Sequence, residues 1–106
     1  MSEPKDAPAR DAGDVLVTVH GRVQGVGFRE SMIAAAMALG VSGWVRNRIE
    51  GSVEAVLRGT PQARQALLRW SQRGPAAARV ERVEVRPASA QESELVRDGF
   101  RRLETR

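Results

Sequence analysis

An α+β fold of order βαββαβ, with two helices packed on one face of a mostly antiparallel sheet, is predicted by three observations on this 106-residue sequence. Apolar residues recur with period two in "VLVTVH" (15–20), "SVEAVLR" (52–58) and "ERVEVR" (81–86), the pattern of half-buried strands. Two stretches of helical spacing lie between these runs, and each closes on a glycine. "GWVRNRIEG" reads as a short strand and a turn leading into 52–58, which makes a hairpin. Hydrophobic residues form 42% of the chain and charged residues 28%, so the composition is globular, and the length suits one domain with a single core.

Residues 1–14, "MSEPKDAPARDAGD", lack periodicity and read as a flexible tail, with the domain occupying 15–106. In the first strand Val15, Val17 and Val19 share one face, and Leu16, Thr18 and His20 the other. A glycine-rich loop follows, and from about Glu30 "ESMIAAAMALG" is predicted as a helix. Its buried face would carry Ile33, Ala36, Met37 and Gly40, and Glu30 would sit against the positive end of the helix dipole. Gly40 is a C-terminal stop with Val41 folding back on the last turn. In the hairpin Val53, Ala55 and Leu57 face one way. Thr60 before Pro61 is a hydroxyl cap with proline in the first helical position, opening a helix whose stripe is Ala63, Ala66, Leu67 and Trp70 and which Gly74 and Pro75 end. In "ARVERVEVR" Val83 and Val85 agree in phase and Val80 does not, which predicts a bulge or a late strand start near Glu81. Residues 88–99 read as a polar loop, and "GFRRLE" supplies a last edge strand or stays peripheral. The sum is the ferredoxin-like sandwich, a fold that hosts many activities and decides none of them.

Composition removes several classes of function. There is no cysteine, hence no disulfide and no thiolate chemistry; no apolar run is long enough to span a bilayer; and the first residues lack the apolar core of a signal peptide. A cytoplasmic monomer without a membrane partner is expected. His20 is the single histidine and reads as structural, so neither a metal site nor a cofactor is expected. Met32, Met37, Trp44 and Trp70 read as packing residues. The net charge is +4, but residues 1–14 hold four acidic and two basic residues, leaving 15 of the 17 basic and 9 of the 13 acidic residues to the rest. That part of the chain favours anions.

The loop "GRVQGVGFRE" (21–30) contains no nucleophile and no metal ligand. A glycine-rich turn from strand to helix points backbone N–H groups at one place beside a positive helix end, which makes an anion cradle. Gly25 and Gly27 allow left-handed torsions and close approach of a ligand, and the fork of Arg29 suits two phosphate oxygens. A dinucleotide fingerprint would need glycine where Glu30 stands, and a Walker loop would need Lys followed by Ser or Thr.

Two stretches together carry a resemblance. The first is Gly21, Val23, Gln24, Gly25, Val26, Phe28 and Arg29; the second is Gly43, Trp44, Val45, Asn47, Gly51, Val53 and Gly59. In both motifs and their separation the chain resembles the acylphosphatases, from about Val15 to Val85, and "GFRRL" loosely matches that family's closing strand. Glu30 departs from the aromatic or apolar residue common beside the family's arginine. The resemblance implies a small-molecule acyl phosphate as substrate and metal-independent hydrolysis to carboxylate and inorganic phosphate. It also implies that the backbone N–H groups of Gln24, Gly25, Val26, Gly27, Phe28 and Arg29 wrap the phosphoryl group, that Arg29 neutralises it, and that Asn47 places the attacking water. Strand parity gives Val45 and Asn47 a common direction and sends Trp44 and Arg46 to the opposite face.

The competing expectation is an anion- or RNA-binding module of the same fold without catalysis. Nucleic acid is disfavoured because there is no tyrosine and the four aromatics, Phe28, Trp44, Trp70 and Phe100, are dispersed.

Overall fold

The computed structural model describes residues 13–106. Strands β1 (Val15–Arg22), β2 (Ser42–Asn47), β3 (Val53–Arg58), β4 (Arg79–Pro87) and β5 (Phe100–Arg102) form one sheet in the order β4-β1-β3-β2-β5. All neighbours are antiparallel except β2 and β5, which run parallel. The helices are α1 (Phe28–Leu39), α2 (Pro61–Ser71) and the short α3 (Ala90–Glu94). The predicted α+β ferredoxin-like order is observed, with β5 and α3 added to it.

The main core lies between the sheet and helices α1 and α2. Val17 and Val19 of β1, Val45 of β2, and Val53, Ala55 and Leu57 of β3 meet Phe28, Met32 and Ala36 of α1 and Leu67 of α2. The alternate residues of the same strands, Leu16, Trp44 and Val56, form a second cluster with Val96 on the other face, so strand parity sorts the apolar side chains as predicted. Of the two readings of the phase break, a bulge or a late strand start, the bulge is observed. His20 opposes Arg82 and Gly21 opposes Val80, so Glu81 is the extra residue, and it returns Val80 to the main core beside Val83.

Helix α1 begins two residues before the predicted start. Its buried stripe is therefore Phe28, Met32 and Ala36, four residues apart, rather than one running through Met37, which is 63% exposed. Met32 fills the core as expected; Met37 does not. Phe28 meets Trp70 of α2 edge to face at 5.3 Å and joins the two helices. Both helix ends match the sequence reading elsewhere: Val41 N–H donates to Ala36 O at 2.9 Å past Gly40, and Ala63 N–H donates to Thr60 Oγ1 at 3.1 Å.

The stretch expected to be a polar loop, 88–99, contains α3. Ser89 accepts from Glu92 N–H at 3.1 Å while the Glu92 carboxylate accepts from Ser89 N–H at 2.7 Å, a reciprocal capping box. This helix brings Leu95 and Val96 over Trp44, whose Nε1–H donates to Glu92 O at 2.9 Å. Of the expected tail, residues 1–12 lie outside the described residues. Asp14 accepts twice from Arg58, at 2.9 and 2.7 Å, and the Arg58 guanidinium holds its carboxyl below the usual range.

Glu92 is held well below the ordinary carboxylate range. Two hydrogen bonds from Arg86, at 3.0 and 2.7 Å, and then the Ser89 amide hold its carboxyl down to about 2, against an ordinary 4.5. A folded value below the unfolded one gives stability that is complete above about 4.5 and is lost as pH falls towards 2. Because Arg86 is half exposed, the pair contributes about 1 kcal/mol rather than the full linkage value. Glu92→Gln is expected to lower the melting temperature at pH 7 and to flatten its fall between pH 4.5 and 2. Melting curves across that range check this; a variant with the wild-type slope would exclude Glu92 as the source.

Candidate active site

The loop between β1 and α1 and the end of β2 meet at one edge of the helix-covered face. Gly25 (φ 74°) and Gly27 (φ 81°) are both left-handed, and a Cβ on either would touch nothing within 4 Å. The backbone torsion, not crowding, therefore demands glycine, and the space before both residues is open. Gly27 is the N-cap of α1 and has no side chain to cap it, so the first-turn N–H groups keep their donor capacity towards this space.

These residues line a hollow of about 70 Å³ together with Val23, Phe28, Arg29, Glu30, Asn47 and Arg102. Phe28 contributes backbone there, since its ring is buried in the core. Arg29 is half-buried and has no ion pair with a described carboxylate. Asn47, 8% exposed, ends β2; its Oδ1 is buried and has no hydrogen-bond partner among the described residues. An unpartnered buried carbonyl costs about 1–3 kcal/mol, so this one is conspicuous. Val45 lies in the helix-side core and Trp44 in the opposite cluster, as parity required.

Two of the expected loop residues do not line the hollow. The Gln24 side chain crosses to the hairpin, donating to Arg48 O at 2.7 Å and Ser52 O at 2.9 Å, and Val26 packs against the core. Gln24 thus ties the glycine loop to the turn that follows Asn47. That turn is closed by Arg48 N–H to Ser52 O at 2.8 Å and Gly51 N–H to Arg48 O at 3.0 Å. Ser52 N–H and Oγ–H also donate to Glu50, which holds the Glu50 carboxyl below its ordinary value. The two halves of the site are fastened to each other by hydrogen bonds rather than by proximity alone.

One residue of the hollow lies outside both motifs, among the arginines of the last twenty residues, which from sequence read as a solvated surface. Arg102, paired in register with Val45, reaches Glu30 with Nη1 at 2.9 Å from Oε2. Arg29 and Arg102 also border a broader cleft of about 400 Å³ with Leu103, Glu104 and Thr105.

Among the described residues no three His, Cys, Asp or Glu side chains are grouped to hold a metal ion, and no helix is long and apolar enough to cross a membrane. Of the four aromatics, Phe28, Trp44 and Phe100 are buried and Trp70 packs on Phe28, so the sheet offers no aromatic platform for stacking bases.

A family model described as acylphosphatase matches residues 15–101. An acylphosphatase of Acidovorax sp. (strain JS42) is 54% identical over 87 residues, covering 82% of this chain and 86% of the relative. That of Thiobacillus denitrificans is 60% identical over 67 residues, covering 63% and 75%. Among solved structures, the acylphosphatase of Bacillus subtilis superimposes with a TM-score of 0.76 at 30% identity, covering 85% of this chain and 97% of that one. An acylphosphatase from Coxiella burnetii gives the same score at 35% identity, covering 86% and 92%. With a glycine cradle, an arginine and a buried asparagine on one hollow, and with relatives alike over most of their length, the chain belongs to the acylphosphatase family.

Proposed function

We propose that the hollow between Gly25 and Asn47 hydrolyses the carboxyl–phosphate bond of acyl phosphates without a metal ion, with Arg29 and Asn47 as its two catalytic side chains. The observation that carries this reading is the pairing of a half-buried arginine, lacking a described carboxylate partner, with a buried, unpartnered asparagine carbonyl beside two left-handed glycines. The backbone N–H groups of the loop and the first turn of α1 receive the phosphoryl oxygens, and the Arg29 fork binds two of them. Asn47 Oδ1 accepts a hydrogen bond from water and sets it opposite the leaving oxygen.

Water attacks phosphorus, the bond from phosphorus to the acyl oxygen breaks, and the electron pair leaves with the carboxylate. The water protons pass to phosphate oxygens, giving carboxylate and dihydrogen phosphate. The leaving carboxylate has a conjugate acid of pKa about 4, so at neutral pH it departs without a general acid. A loose phosphoryl transition state gains from positioning and charge stabilisation, which amides, a guanidinium and an oriented water supply. A phosphate monoester, whose alkoxide or phenoxide is a more basic and poorer leaving group than a carboxylate, would require an acid or a metal at the leaving oxygen. The poverty of the site therefore selects its substrate class.

Hydrolysis of benzoyl phosphate and p-nitrophenyl phosphate, each with and without EDTA, tests the reading. Benzoyl phosphate should turn over equally with chelator present, and the nitrophenyl ester should be cleaved far more slowly. Loss of benzoyl phosphate hydrolysis in EDTA, or comparable rates on both substrates, would sink it.

A further inference from the structure

Glu30 stands in the first turn of α1, where the positive end of the helix dipole favours a carboxylate. The same helix end faces the hollow, so Glu30 and an entering oxyanion draw on one positive field. Glu30 also follows Arg29 directly, and both line the hollow. Alone beside Arg29, this carboxylate would cancel the formal charge of the site and offer the guanidinium a competing partner.

Arg102 answers both effects. It is carried to the hollow by the parallel pairing of β5 with β2, and it holds Glu30 at 2.9 Å. With Arg102 present, the ionised side chains lining the hollow are Arg29, Glu30 and Arg102, a net positive charge of one; without it they cancel. The two partners are 50% and 66% exposed, so the pair adds little to stability, and its consequence is for the field inside the hollow.

We propose that Arg102 is a positioning residue for the phosphate site: it occupies Glu30, offsets its charge and so keeps Arg29 available to the phosphoryl group. This inference rests on reading the hollow as the phosphate site. It also explains how the chain tolerates an acidic residue next to its arginine.

The test combines Arg102→Ala, Glu30→Gln and the double variant, read by calorimetric titration with inorganic phosphate and by kcat and KM for benzoyl phosphate. Arg102→Ala is expected to weaken phosphate binding about three- to fivefold and to raise KM by a similar factor while kcat holds. The deficit should shrink as salt is added, because the groups are exposed. In the Glu30→Gln background the same substitution should change phosphate affinity by less than about twofold, since the group that Arg102 acts through is gone. Unchanged phosphate affinity in Arg102→Ala overturns the inference. So does an equal loss in the Glu30→Gln background, which would make Arg102 a direct phosphate ligand. Phosphate binding is read without turnover. A wild type showing the expected binding pattern but no hydrolysis would therefore remove the proposed reaction alone, and one that binds no phosphate would remove both.

Discussion

Arg29→Ala is expected to reduce kcat/KM for benzoyl phosphate by about a thousandfold or more, equivalent to about 4 kcal/mol of transition-state stabilisation, and to abolish detectable binding of inorganic phosphate. Arg29 is the cation of the hollow whose charge no described carboxylate occupies; Arg102 is already engaged by Glu30. Its removal leaves the pair Glu30–Arg102, which has no net charge, facing a dianionic phosphoryl group. The neutral amides of the loop cannot make up that difference in field. Arg29→Lys restores the charge without the planar fork and should recover only part of the activity. The fold should survive either change, since the Arg29 side chain bridges no element of the core. Steady-state kinetics beside a melting curve check this. Near-normal hydrolysis by a folded Arg29→Ala variant would remove the arginine from the mechanism.

What was legible in the sequence is what is local. Period-two apolar residues gave the strand faces, Thr60–Pro61 and Gly40–Val41 gave helix ends, and one misphased valine at position 80 marked either a late strand start or the bulge found at Glu81. The start of α1 was misplaced because Phe28 lies inside a stretch that reads as glycine-rich loop. Phe28 opens the i, i+4 series Phe28, Met32, Ala36, so with Phe28 read as loop that series loses its first member and the stripe was inferred from Ile33, Ala36, Met37 and Gly40 instead. Helix α3 had a readable signal in Ser89 followed three residues later by Glu92, but five residues are too few to show an apolar period, and what it covers, Trp44, is distant in sequence. The site divides in the same way. Gly25, Gly27, Arg29 and Asn47 belong to two compact motifs and were readable; Arg102 enters through a three-residue parallel strand whose register against Val45 has no local cause. Gln24 was expected to offer only its amide, and the strut its side chain makes to Arg48 and Ser52 could not be seen before the hairpin was in place.

Asn47→Ala is expected to lower kcat about a hundred- to a thousandfold, or about 2.7–4 kcal/mol, while KM and the affinity for inorganic phosphate stay near wild type. The asymmetry follows from position. Asn47 ends β2 across the hollow from the glycine loop, so its carbonyl meets the attacking water rather than the phosphoryl oxygens that determine binding. A group that acts only on the nucleophile is felt in the transition state and not in the ground state. The same substitution should leave the melting temperature unchanged or raise it, because it deletes a buried acceptor without a partner among the described residues and leaves intact the β2–β3 pairing of Asn47 with Val53. Loss of turnover together with undiminished stability is what a site group held at a cost to folding produces, and a structural asparagine produces the opposite. A variant that binds phosphate weakly, or one that melts several degrees lower while retaining kcat, would reassign Asn47 to holding the hairpin, and the water would need another partner in the hollow.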